Sequence, residues 1–151
     1  MQDQERYSIS FRIESSLDQI SLVRAAMSGV FHHLGVIEAD IFSLELAVSE
    51  IINNIIEHGY GGALDHAIDV QVTIAGSLIE IKLKDNATPF PEDQLHRLQG
   101  DPPILEESTE DWPMRGHGLQ IVRQIVDTLD IRSDEQGNCM KLTKQVTRLD
   151  R

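Results

Sequence analysis

The sequence predicts an α+β fold, a two-layer sandwich in which helices cover one face of a mixed, mostly antiparallel sheet. Three observations carry the prediction. Apolar residues alternate in several short runs, and in longer runs they recur at steps of three and four. The two kinds of run follow one another as β-α-α-β-β-loop-α-β-β, with no linker, repeat or low-complexity tract between them.

"YSISFRI" alternates and reads as a strand. Behind it, "SSLDQISLVRAAMSGVFHHLG" offers Ser15 or Ser16 as a helix cap, apolar residues at helical spacing, and Gly35 as a stop. From Glu38 to Tyr60 the positions Ile41, Leu44, Val48, Ile51 and Ile55 form a second helical stripe that Gly61 and Gly62 end. "IDVQVTIAG" and "SLIEIKLKD" both alternate, and Gly76-Ser77 between them suits a tight hairpin turn. The stretch after Asp85 holds all five prolines and little periodicity. Long irregular segments in compact domains are often lids or binding loops, and residues 100–114 are the expected lid. "RGHGLQIVRQIVDTLDI" then opens on Gly116 and Gly118 and continues as a helix with a broad buried face through Leu119, Ile121, Val122, Ile125, Val126 and Leu129. Two short strands turning at Gly137-Asn138 close the chain.

A chain of 151 residues suits a single domain spanning 1–151. Its 40% hydrophobic and 25% charged residues are ordinary for a globular protein. A formal net charge of −12 repels polyanions, which argues against direct nucleic-acid binding and against an anionic membrane surface. It does not exclude a nucleotide, because backbone N–H groups, a helix N-terminus and Mg²⁺ supply positive potential locally. Cys139 has no partner for an internal disulfide, no Cys/His group has zinc-ligand spacing, and neither a leader nor a membrane span is readable. A cytoplasmic protein is expected.

Three patterns carry chemistry. Glu50, Asn54 and His58 lie at steps of four, and a helix that turns about 100° per residue stacks them along one face. Such a row is often only a solvated surface, but adjacent Asn53 and Asn54 mid-helix are costly unless used, and an amide oxygen beside phosphates suits Mg²⁺. A carboxylate one turn away can accept a proton. In "LKDNATPF" a lone Asp85 ends an alternating strand; it reads either as a turn-forming residue or as an acceptor for an adenine amino group. In "RGHGLQIV", Gly116 and Gly118 precede a helix whose free N–H groups favour an anion, although a plain glycine turn looks the same.

Taken in order, "ELAVSEIINNIIEHGY", "IKLKDNATPF", "RGHGLQIVRQIVDTLDI" and "GNCMKLTK" resemble the anti-sigma factor serine/threonine kinases of bacterial partner-switching systems. These belong to the gyrase, histidine-kinase and MutL ATPase superfamily, with its Bergerat-type ATP-binding fold. The resemblance covers nearly the whole chain. It implies that Glu50 is a general base, Asn54 the Mg²⁺ ligand, His58 a neighbour of the phosphates and Asp85 the acceptor for the adenine amino group. It implies ATP contacts also at Ala87 beside Asp85, and at Arg115, Gly116, His117, Gly118 and Leu119 around the phosphates.

The chain departs from the family pattern in two places. Ala87 stands where a glycine is usual, adding a methyl group near the base, and Asn138-Cys139 follow Gly137 where a threonine is common. The activity implied is transfer of the γ-phosphoryl group of ATP, with Mg²⁺, to a STAS-type anti-anti-sigma protein. A sigma factor or similar regulator would be the second partner, and homodimerisation is implied by the resemblance alone. The alternative is a module that sequesters partners with little or no turnover. The catalytic half of a histidine kinase fits less well, since the residues are used up by one domain without a phosphoacceptor hairpin.

Overall fold

The structure, a computed structural model, describes residues 5–90, 92 and 118–149. In chain order the elements are β1 (Arg6–Glu14), α1 (Ile20–His33), α2 (Glu38–Asn54), a π-helical turn (Ile55–Gly59), β2 (Ala67–Ala75) and β3 (Leu78–Asp85), followed by α3 (Gly118–Ile125), β4 (Thr128–Asp134) and β5 (Gly137–Gln145). The strands form one sheet in the order β1-β2-β3-β5-β4. Every pairing is antiparallel, so the parallel pair that a mixed sheet would contain is absent among the described strands.

Two periods build the core. Ile68, Val70, Val72 and Ile74 of β2 and Ile79, Ile81 and Leu83 of β3 alternate onto one face, where they are buried with Val23, Met27 and Phe31 of α1 and Leu44, Val48 and Ile51 of α2. The opposite face is polar. Arg12 of β1 pairs there with Asp69 of β2 at 2.7 Å, and Gln71 and Lys84 are exposed. Helices on one face and water on the other give the expected two layers.

Four local details differ from the sequence reading. Neither serine caps α1 through its side chain: Ser16 precedes a 3-10 turn at Leu17–Gln19 that runs into the helix. Ser15 is instead buried, with its Oγ donating to the Ala63 carbonyl at 2.7 Å and accepting from the His66 N–H at 3.2 Å. Helix α3 stops at Ile125 rather than continuing to Leu129. Lys144 Nζ donates to the Ile125 carbonyl, the Asp127 N–H bonds Thr143 at 2.9 Å, and Leu129 has already entered β4 opposite Leu142. The last hairpin turns at Glu135-Gln136, not Gly137-Asn138, because Asp134 Oδ1 accepts from the Gln136 N–H at 2.7 Å and Gly137 already pairs with Asp134. Finally, the second helix does not stay α-helical to its end. From Ile55 its bonds lengthen by one residue, as in Tyr60 N–H to the Ile55 carbonyl at 2.9 Å.

Candidate functional site

Strand alternation delivers the first two polar groups. The inward positions of β3 run Ile79, Ile81, Leu83 and then Asp85, while those of β5 run Asn138, Met140 and Leu142; register sets Asp85 directly opposite Asn138. Both side chains are 6% exposed, at the rim where the aliphatic core ends. Asp85 Oδ1 accepts from the Asn138 amide at 2.8 Å and from the Ala87 N–H at 2.9 Å. Oδ2 has no hydrogen bond among the described residues. Burial raises the pKa of Asp85 above the usual carboxylate range, opposed by the Asn138 amide and then by the Ala87 N–H.

Asn138 is fully engaged. Its amide nitrogen also donates to the Thr88 carbonyl at 3.0 Å, and its oxygen accepts from the Phe90 N–H at 3.3 Å and from the Ser133 hydroxyl. These bonds tie the loop after β3 to β4 and β5. From the other side, Tyr60 accepts the Asn86 N–H at 2.9 Å and donates to the Ala67 carbonyl at 2.8 Å, with its ring stacked on His66. Burial is the main cause that raises the Tyr60 pKa, which keeps the hydroxyl a donor as well as an acceptor.

The helical side of the site is α2 and the π turn. Asn54 and His58, with Gly59, line a cavity of about 200 Å³ together with Asp85, Thr88, Phe90 and Asn138. The Asn54 amide has no hydrogen bond among the described residues, whereas His58 is exposed at the cavity rim. The even row expected for Glu50, Asn54 and His58 holds only for its first step, because the π turn begins at Ile55. Glu50 lies one turn before Asn54, half-buried, and is not part of the cavity lining. Its carboxylate instead presses against the backbone of Gly118, the first residue of α3, so closely that a Cβ there would overlap Oε2. The first and third sequence motifs therefore meet.

Ala87 is buried, and its methyl faces Gly59, where an added Cβ would come within 2.8 Å of it. The unusual methyl at 87 is thus accommodated by glycine across from it. Leu119 puts its side chain into the core, 5% exposed, and does not line the cavity. Arg115, Gly116, His117 and the expected lid at 100–114 lie outside the described residues. No cluster of three His, Cys, Asp or Glu side chains suited to a metal occurs among the described residues. A larger cavity, about 1010 Å³, lies at the far end of the sheet between β1, α1 and the β2–β3 turn, and none of the motif residues reaches it.

Sequence reasoning missed Tyr60, Ser133 and the positive role of Asn138. The available signal was Asn138 on the inward phase of β5, ahead of Met140 and Leu142; assigning it to a turn hid that phase.

A sequence profile of the histidine kinase-like ATPase domain matches residues 13–144. The chain belongs to this family. The histidine kinase-like ATPase assignment agrees with the curated relatives: serine-protein kinase RsbW of Bacillus thuringiensis (strain Al Hakam) is 28% identical over 145 residues, covering 95% of this chain and 89% of that one. RsbW of Bacillus cereus (strain 03BB102) matches equally. Among solved structures, the RsbU and RsbW domains of Rv1364c from Mycobacterium tuberculosis superpose with a TM-score of 0.67 at 20% identity, over 96% of this chain and 34% of that one. The histidine kinase domain from Erythrobacter litoralis EL346 gives 0.54 at 14% identity, over 86% of this chain and 60% of that one. This chain therefore spans about a third of the solved mycobacterial chain, and the two likenesses show the shared histidine kinase-like ATPase fold. No helix among the described residues is long and apolar enough to cross a membrane.

Proposed function

We propose that this chain works as one domain over residues 1–151, an ATP-dependent protein serine/threonine kinase that phosphorylates a STAS-type anti-anti-sigma protein. By the same reading it otherwise sequesters a sigma factor or similar regulator, as a homodimer in the cytoplasm without direct nucleic-acid or membrane contact. One arrangement carries the reading. Asp85, whose Oδ2 has no hydrogen bond among the described residues, and Asn54, whose amide has none among them, line a single cavity, and Glu50 lies one turn from Asn54. The curated RsbW relatives, named serine-protein kinases, support the choice of acceptor class.

Each group then has a task. Asp85 accepts a hydrogen bond from the base amino group, and backbone around Gly116 and Gly118 meets the phosphates. His58, Arg115 and His117 add positive or donor character there, with Ala87 and Leu119 shaping the site through their backbone. Bound Mg²⁺ would be held by the Asn54 amide oxygen and would neutralise phosphate charge. Glu50 takes the proton of the acceptor hydroxyl as its oxygen bonds to the γ-phosphorus; the bond from that phosphorus to the β–γ bridging oxygen breaks, and ADP leaves.

The test is transfer of radiolabel from ATP to a purified STAS-domain protein. Wild type should transfer, and Glu50→Gln should bind ATP but lose about 10²- to 10⁴-fold in transfer, the usual scale of general-base assistance. Transfer surviving within a few-fold would remove Glu50 from that role. A wild type that binds the partner tightly yet transfers nothing would replace the kinase by the sequestering module.

A further inference from the structure

We infer that the cavity at the far end of the sheet, between β1, α1 and the β2–β3 turn, is a second ligand site, which takes a small organic monocarboxylate with an apolar chain. It shares no lining residue with the cavity that holds Asn54 and Asp85, so its ligand is a matter separate from nucleotide binding.

Size and walls suit an organic molecule. At about 1010 Å³ the cavity lies at the upper end of the range for small-molecule sites, in which apolar walls supply burial and a few polar groups fix orientation. Helical spacing puts Gly29, Val30 and His33 on one face of α1. In the same lining Leu34 is buried, Ile9 and Val30 are half-buried, and Leu149 is left 66% exposed. An apolar chain set against these side chains would remove that surface from water. Gly29 adds a second sign. Glycine is the poorest helix former after proline, yet a Cβ at this interior position of α1 would meet nothing within 4 Å, so packing does not require it. What the missing side chain leaves is room in the cavity wall.

Charge selects the head group. The chain carries a formal net charge of −12, but this lining holds two permanent cations, Arg6 and Arg148, and the His33 imidazole, against a single acid, Glu5. Neither arginine forms an ion pair among the described residues. Arg148 is also held in place: its Nε donates to the Leu34 carbonyl and its Nη1 to the Gly76 carbonyl, each at 2.9 Å, while Nη2 has no hydrogen bond among the described residues. A guanidinium already fixed by two bonds loses little freedom on meeting a carboxylate, and bonds between opposite charges are the strong ones. With the imidazole neutral, two cations and one acid leave one positive charge. A monoanion neutralises it; a dianion such as a phosphate monoester overshoots.

Calorimetric titration of the full chain with decanoate, and with decanol as the same tail without the charge, tests the assignment. Wild type should take one decanoate per chain and bind decanol about tenfold or more weakly, the scale of a charge-assisted hydrogen bond. Leucine at position 29 would extend from the cavity wall into open space and replaces a poor helix former by a good one. Gly29→Leu should therefore lose decanoate while melting no lower than wild type, which separates blocking from misfolding. Arg6→Gln, at an exposed position, should weaken decanoate and leave decanol unchanged. Equal affinity for the two probes, decanoate binding that survives Gly29→Leu, or displacement of decanoate by ADP overturns the inference. Absence of binding overturns it as well, and light scattering on the same sample shows whether a second copy of the chain covers this face instead.

Discussion

Asp85 is the last inward position of β3 and the one place on that strand's inner face where a charge replaces an aliphatic side chain. Its raised pKa fixes the sign of a stability effect. The folded state prefers the protonated carboxyl, so the ionised form carries a burial cost at neutral pH that fades as pH falls through the folded value toward the unfolded one, about 3.9. Asp85→Asn keeps the shape and can still accept from Ala87 and Asn138. It should melt above wild type at pH 7, with the gap closing near pH 4, while losing nucleotide; equal midpoints at pH 7 would mean that the two donors already offset the cost. Asp85 was legible in the sequence because alternation led straight to it. Asn138 was not, since its inward aim depends on where the preceding turn closes, and that is decided by the Asp134 side chain.

Helices α2 and α3 meet where the Glu50 carboxylate lies on Gly118. At Gly118, the first residue of α3, an added Cβ would displace either the Glu50 carboxylate or the helix. Gly118→Ala should therefore slow phosphoryl transfer by about 10²-fold, the scale of a misplaced reacting group, and so by more than it weakens ADP binding at the phosphate contact its backbone serves. Calorimetry beside the transfer assay separates the two; a normal rate would show that Glu50 tolerates the shift. The elements themselves were readable from their periods. Their ends were not: Leu129 satisfies both the helical step from Ile125 and the strand alternation with Ile131, and bonds to β5 decide in favour of the strand. Gly137 was misplaced for a related reason. Its φ of +134° suits a turn, yet its missing side chain is needed because a Cβ would overlap the Asp85 carbonyl.

Across the whole molecule, the end of the sheet away from the cavity is fastened by the chain's last described residues. Arg148 donates to the carbonyls of Leu34 and Gly76, each at 2.9 Å, and Val36 bridges to Arg148 itself. The Thr147 N–H bonds Asp40 at 2.8 Å. This clasp joins the α1–α2 connection to the β2–β3 turn, and nothing in the periodicity of "TRLD" announces it. Arg148→Ala removes charge-assisted bonds and should cost about 1–3 kcal/mol of stability, a fall in melting temperature of roughly 2–4 °C per kcal/mol for a chain of this size. ADP affinity should be unaffected. A matching loss of affinity in calorimetry would instead mean that the two ends of the sheet are energetically coupled.

The π-helical turn at Ile55–Gly59 bears on how such sequences are to be compared. Each of its bonds spans five residues rather than four, so the turn holds one residue more than α geometry would, and a segment one residue shorter would present different side chains where His58 and Gly59 now line the cavity. Spacing in this stretch is information in its own right, and a homologue that aligns here only across a gap carries a differently shaped wall, however well its letters agree.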